Sequence, residues 1–158
     1  QLAWKLRNDS RVIVLERTNA RHLSGEHIGE AVYFATIDVS FISLRLILPV
    51  VETLIQHPGY CLALVKPQFE AGRKNVGKKG VVRDPAIHAA VLEGLVRFIS
   101  LGTSMRVLGL THSPIRGPEG NIEFLCYLSN ETLETSGSTK IDIDGVVTAA
   151  HDGTTFSC

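Results

Sequence analysis

The run Leu62-Ala63-Leu64-Val65 is apolar enough for a buried strand, yet it passes straight into Lys66, Pro67 and Glu70. Ala35-Thr36-Ile37 runs in the same way into Asp38, and Ile122-Glu123-Phe124-Leu125 carries a glutamate inside an apolar run. A charge at the end of a buried run is costly unless it is paired or used. Three such charges in one chain point to a polar cluster at the edge of a sheet.

The chain around these charges reads as alternating strands and helices. Residues 1–8 look helical and Arg11–Glu16 look like a short buried strand ending in an acid. A second strand is expected over 32–37, a helix over 43–56 and a third strand over 60–65. Asp84-Pro85 has the N-cap and first-turn residues of a helix that should run to about Leu101. Strands over 105–111 and 122–128 follow, joined by a loop without a helix, so they should be antiparallel neighbours. This alternation predicts an α/β domain with a mostly parallel sheet and an antiparallel last strand. Ligands of such sheets bind beyond the carboxyl ends of the strands. Glu16, Asp38 and Lys66 fall at such ends, and Glu123 opens the antiparallel strand at the same edge.

The bulk numbers narrow the class. In 158 residues, 44% are hydrophobic and 20% charged, which suits one domain with a sizeable core. The apolar stretch Leu44–Val51 is broken by Arg45 and Pro49 and is too short to span a bilayer. The start, Gln1 to Arg7, reads as an amphipathic helix rather than an export signal. Cys61, Cys126 and Cys158 form no CxxC pair, which argues for reduced thiols, a cytoplasmic location and no structural zinc. The six histidines show no metal spacing either.

Formal net charge is zero, but it is unevenly spread. From Lys66 to Arg83 six bases face one acid (6 − 1 = +5), whereas from Ser129 to Cys158 one base faces five acids (1 − 5 = −4). Arg73, Lys74, Lys78, Lys79 and Arg83 therefore make a basic loop suited to phosphates, expected to be a flexible lid over the sheet edge. Gly72–Lys79 nearly matches a nucleotide-binding phosphate loop, but Lys79 replaces the magnesium-binding hydroxyl and no helix is expected there. The Ser-, Thr- and Gly-rich tail over 129–158 is expected to be loosely ordered.

Four ordered segments carry a family likeness: Leu15-Glu16-Arg17-Thr18-Asn19-Ala20-Arg21-His22-Leu23, Asp38-Val39-Ser40-Phe41-Ile42-Ser43-Leu44, Val65-Lys66-Pro67-Gln68-Phe69-Glu70-Ala71-Gly72-Arg73 and Gly117-Pro118-Glu119-Gly120-Asn121-Ile122-Glu123-Phe124. Together they resemble the TlyA family, also labelled hemolysin A. These are FtsJ-like, S-adenosylmethionine-dependent 2′-O-methyltransferases of ribosomal RNA. The resemblance runs over residues 1–128, which it marks as the methyltransferase domain.

It implies a Rossmann-like sheet and a Lys-Asp-Lys-Glu tetrad, of which Asp38, Lys66 and Glu123 are the last three members. A ribose 2′-hydroxyl is a poor nucleophile, and a lysine set among cations or away from water can take its proton. On this expectation Lys66 is the base, Glu123 orients it, and Asp38 lies near the cofactor sulfonium. Glu16 would accept from the cofactor ribose, and Asn19 would approach the adenine. The partner implied is ribosomal RNA or a ribosomal subunit, with no membrane.

The family's glycine-rich cofactor loop, first strand and first tetrad lysine would precede Gln1, and Lys5 does not replace that lysine. The expectation is an N-terminally truncated domain, inactive by itself, with sheet edges that invite homo-oligomerisation.

Structural alternatives remain for each residue. Asp38 could cap a helix, and Lys66 could pair with Glu70 or Glu123. Glu123 could be an exposed edge charge, and Glu16 could pair with Arg17 or Arg21. A non-catalytic RNA- or ribosome-binding module remains the rival function; a membrane-lysing hemolysin is disfavoured.

Overall fold

The computed structural model describes residues 2–132 and 140–153. Its elements in chain order are α1 (Trp4–Arg7), α2 (Gly25–Ile28), β1 (Val32–Ile37), α3 (Leu48–Leu54), β2 (Ile55–Val65), α4 (Pro67–Glu70), α5 (Pro85–Gly102), β3 (Arg106–His112), β4 (Phe124–Ser129) and α6 (Ile143–Asp152). Four strands form one sheet in the order β1-β2-β4-β3. β1 and β2 are parallel, while β4 is antiparallel to both β2 and β3. β1, β2 and β3 therefore share one direction, and the last strand alone opposes them, as the sequence predicted.

β2 sits inside the sheet because its apolar run suits a strand with neighbours on both sides. Cys61, Ala63 and Val65 point into the core beside Cys126, Leu128 and Phe124 of β4. Burial pushes the Cys61 and Cys126 thiols up to about 12, so both are inert and unoxidised. Cys158 lies outside the described residues.

Helix α5 starts as its sequence demands, with Asp84 accepting from the Ala86 amide at 2.9 Å and Pro85 in the first turn. Its residues His88, Val91, Leu92, Leu95 and Ile99 form one stripe against the sheet. Each fully buried aliphatic side chain there contributes about 1.5–3 kcal/mol. Helix α5 is also long and apolar enough to cross a bilayer, a property that it shares with core helices.

Three expectations are corrected. Residues 11–16 form no strand: Ile13 is exposed, and Val12 instead closes a turn onto Asp9. A strand exists only through its ladder, and no described strand pairs with this one. The helix expected over 43–56 is a turn over Leu44–Leu46 followed by α3, because Pro49 marks a fresh helix start and Ile55 is taken into pairing with Val32. Within the tail expected to be loose, α6 is folded. Asp142 caps it through the Gly145 amide at 3.0 Å, and Val147 and Ala150 are buried against the core. The tail's composition hid a short amphipathic helix with an acidic cap.

His88 and His151 join α5 to α6 through Nδ1 and Nε2, 2.9 Å apart. Burial, with His151 and Arg116 adding to it and Asp84 opposing, pushes His88 down to about 4. Above an ordinary histidine value of about 6.5 neither the folded nor the unfolded chain binds the extra proton. Between about 6.5 and 4 only the unfolded chain takes it up, so stability falls as pH falls through that window. Urea titrations at pH 7 and pH 5 should show a loss on the order of 1 kcal/mol, and His88→Phe should flatten that dependence.

Candidate active site at the sheet edge

The topology delivers the three charges to one edge. Asp38 follows the carboxyl end of β1, Lys66 follows that of β2, and Glu123 precedes β4. In the β2–β4 ladder Val65 faces Phe124, so Lys66 and Glu123 sit at the next step of that antiparallel register.

Lys66 Nζ lies 2.7 Å from Asp38 Oδ1 and donates to Ser40 Oγ at 3.2 Å. The lysine side chain is 14% exposed and the aspartate 72%, so the amine is held while the acid stays open to solvent. The capping alternative for Asp38 is thereby replaced by an ion pair. Glu70 is not the lysine's partner. It accepts from Ser43 Oγ at 2.7 Å and the Leu44 amide at 2.6 Å, tying α4 to the turn after β1.

Glu123 is buried, at 7% exposure, which removes the exposed-edge alternative. It makes no ion pair among the described residues and accepts from Gln68 Nε2 at 3.3 Å. Gly117 lies against the same oxygen: a Cβ there would stand 2.8 Å from Glu123 Oε1. Gln68 Oε1 is buried without a partner. Gln68 and Gly117, which position Glu123, carry no charge to flag them; only their place in the quoted motifs could have found them.

The expected cofactor residues divide. Asn19 lines a cleft of about 610 Å³ with Thr18, Arg21 and the Val39–Ser43 loop. Its Oδ1 accepts from the Arg21 amide at 3.1 Å and so fixes the turn Ala20–His22. Glu16 is not in that cleft; it is exposed and paired with Arg7, not with Arg17 or Arg21. That pair holds its carboxyl below the usual range. At the cleft mouth Phe41 is 90% exposed with φ 63°, its ring 5.0 Å from that of Phe69. A bulky residue in the left-handed region is strained, and the sequence gives no sign of it.

The basic loop, expected as a flexible lid, carries local structure between α4 and α5. It contains two short turns, Arg73–Asn75 and Lys78–Gly80, and is closed by the Gly77 amide on the Val81 carbonyl at 3.0 Å. Lys78, Lys79 and Arg83 line a cleft of about 540 Å³, whereas Arg73 and Lys74 are exposed outside it. Buried Asn121 holds the loop's end, accepting from the Val82 amide at 3.0 Å and donating to the Gly80 carbonyl at 2.9 Å. Glu123 and the basic loop therefore hang on one short segment, Gly117–Glu123.

An open α/β sheet with a charged cluster beyond its parallel strand ends has that cluster where ligands of such sheets bind. A profile of the FtsJ-like methyltransferase family matches residues 1–130, and the chain belongs to that family. It is 53% identical over 154 residues to YqxC of Bacillus subtilis, named for rRNA methylation, covering 96% of this chain and 54% of that protein. It is 47% identical over 154 residues to the 16S/23S rRNA (cytidine-2′-O)-methyltransferase TlyA of Mycobacterium tuberculosis, covering 97% and 56%. A solved protein of Streptococcus thermophilus that carries the hemolysin name superposes with a TM-score of 0.86 at 44% identity, over 97% of this chain and 55% of that one. The chain spans about half the length of the curated relatives it matches.

Replacing Asn121 by Ala would leave a buried amide and a carbonyl unpaired, at roughly 1–3 kcal/mol for such a change. Denaturant titration of Asn121→Ala should show a drop on the order of 2 kcal/mol, with faster amide exchange at Val82; an unchanged midpoint would remove Asn121 as the anchor.

Proposed function

We propose that this chain carries the catalytic part of an S-adenosylmethionine-dependent methyltransferase acting on ribose 2′-hydroxyls of ribosomal RNA, with residues 1–128 as the catalytic unit. The observation that carries the reading is the largely buried Lys66 amine held by Asp38 and Ser40 at the strand ends, with Glu123 at the next step of the ladder. A cytoplasmic place follows from a ribosomal substrate. Relatives named as rRNA methyltransferases at 47–53% identity support it.

FtsJ-like methyltransferases use S-adenosylmethionine, which supplies the methyl group. The cleft lined by Asn19 and Ser40 falls within the roughly 300–1,000 Å³ usual for ligand sites and opens beside Asp38. In this reading Asn19 and the Val39–Ser43 loop hold the cofactor, and Asp38 balances positive charge at its mouth. Glu16 would join them only by leaving Arg7. As the neutral amine, Lys66 would take the proton of the ribose hydroxyl as its oxygen bonds the methyl carbon and the carbon–sulfur bond of the cofactor breaks; Glu123, steadied by Gln68 and Gly117, would orient that amine. Lys78, Lys79 and Arg83, with Arg73 and Lys74 outside their cleft, contact RNA phosphates.

The cofactor cleft has one wall in the exposed N-terminal segment, and β1 has no strand on its outer edge among the described residues. Cofactor binding by this stretch alone should therefore be weak; calorimetric titration giving sub-micromolar affinity would refute that. The same bare edge is the surface where a second chain would pair.

Carried into the length of the relatives, Lys66→Ala should abolish methyl transfer to ribosomal RNA while leaving RNA binding intact. Methylation surviving the change would sink the assignment, and no methylation by any version would favour a binding module. The hemolysin name that several of the similar proteins carry and the bilayer-length α5 are what membrane lysis has in its favour. Dye release from liposomes tests it, with no release expected because α5 buries a face in the core.

A further inference from the structure

The basic cleft is not the only cationic cleft along α5. A second, of about 440 Å³, is lined by Arg45, Gly94, Arg97, Phe98, Leu101 and Gly102, with no acid among them. Neither arginine side chain makes a hydrogen bond or ion pair among the described residues, and Arg45 Nε is buried without an acceptor. Arg7 and Arg11 are bonded to Glu16 and Asp9; Arg106 also has a buried Nε without an acceptor, but its terminal nitrogen faces Glu131 at 3.9 Å, whereas Arg45 has no acid partner. A guanidinium with a buried, unpaired edge is costly unless an acceptor reaches it.

The Arg45 guanidinium lies across α5 where the helix is bare. A Cβ on Gly94 would stand 2.8 Å from one of its terminal nitrogens, so the glycine makes room for the arginine. Arg97 follows one turn later on the same side.

The two clefts are collinear. Ile87 lines the basic cleft, and Gly94 and Leu101 line the arginine cleft. These three residues are spaced seven apart and therefore lie on one face of the helix, about 10 Å between successive members. One stripe of α5 is thus flanked by the cations of the basic loop at its amino end and by Arg45 and Arg97 toward its carboxyl end.

From this alignment we infer that the arginine cleft is a second phosphate-binding site. RNA lying in the basic cleft continues along α5, and Arg45 and Arg97 take a backbone phosphate further on. Phe98 and exposed Leu101 give the apolar floor against which a sugar or base can rest. The inference rests on the RNA-modifying reading of the site, but it concerns binding and needs no methyl transfer.

The test is fluorescence anisotropy with a labelled single-stranded segment of ribosomal RNA over a range of salt concentrations, using this chain. Variants are Arg45→Met, Arg97→Met, both together, and Gly94→Asp, which sets a carboxylate against the Arg45 guanidinium. Lys78→Met/Lys79→Met reports on the basic cleft. Removing one bound phosphate should reduce the slope of log affinity against log salt by about 0.7, so the double arginine variant should show a reduction of about 0.7 and Gly94→Asp at least half of that. Arg97 is exposed, so its variant keeps the test valid if Arg45→Met does not fold. Unchanged slopes for the arginine and glycine variants, with a reduced slope for the lysine pair, would overturn this inference and leave the RNA reading standing. No RNA binding by the parent chain at any salt would overturn both.

Discussion

Insertion of β4 between β2 and β3 is the constraint on which the site depends. Running against its neighbours, β4 starts where β2 ends, so the segment leading into it arrives at the carboxyl edge of the parallel strands. A parallel strand in that slot would have left its first residues at the far edge. The inserted strand therefore brings Glu123 to the end of β2, where Lys66 lies. It also brings Asn121, and with it the end of the basic loop. One topological choice thus sets the acid and fastens the cationic surface beside it.

The Asp38–Lys66 pair has unequal partners. The amine is mostly buried, and the acid is mostly in water. Ion pairs of exposed groups contribute at most about 1 kcal/mol, so the pair does little for folding stability. Its effect is on position: the ammonium has Asp38 on one side and the Ser40 hydroxyl on the other. Glu123 is fixed differently, by a neutral amide and by the absence of a side chain at Gly117. Side-chain bonds hold the surrounding segments together: Glu70 ties α4 to the turn after β1, and Asn121 ties the segment before β4 to the basic loop.

Much of this was legible where the physics is local. Asp84-Pro85 and the apolar stripe behind them specify α5 without reference to the rest of the chain. The apolar run of β2 specifies a strand with neighbours on both sides. Arg11–Glu16 misled because strand character belongs to a pair of segments, and no described partner lies beside this one. Helix α6 was masked by its Ser/Thr/Gly-rich surroundings, although Asp142 and the spacing of Val147 and Ala150 were present in the sequence. In the site, Asp38 and Lys66 announced themselves as charges after apolar runs. Gln68, Gly117 and Asn121 did not, since an amide or a missing side chain acquires its role only when a distant oxygen or amide is folded against it. The Arg7–Glu16 pair is likewise a product of how the N-terminal segment turns back, which residue type alone does not reveal.

An exposed acid beside a buried amine is also an asymmetric control element. Rotating a solvated carboxylate toward a new cation costs little, because it exchanges one set of screened contacts for another. Moving the amine would cost more, since its side chain is mostly buried. Any positively charged ligand entering the cleft beside Asp38 would therefore act on the acid first. Lys66 would stay in place with Ser40 while its counter-charge was drawn away. The arrangement leaves the acid free to respond to what occupies the neighbouring cleft while the amine keeps its place.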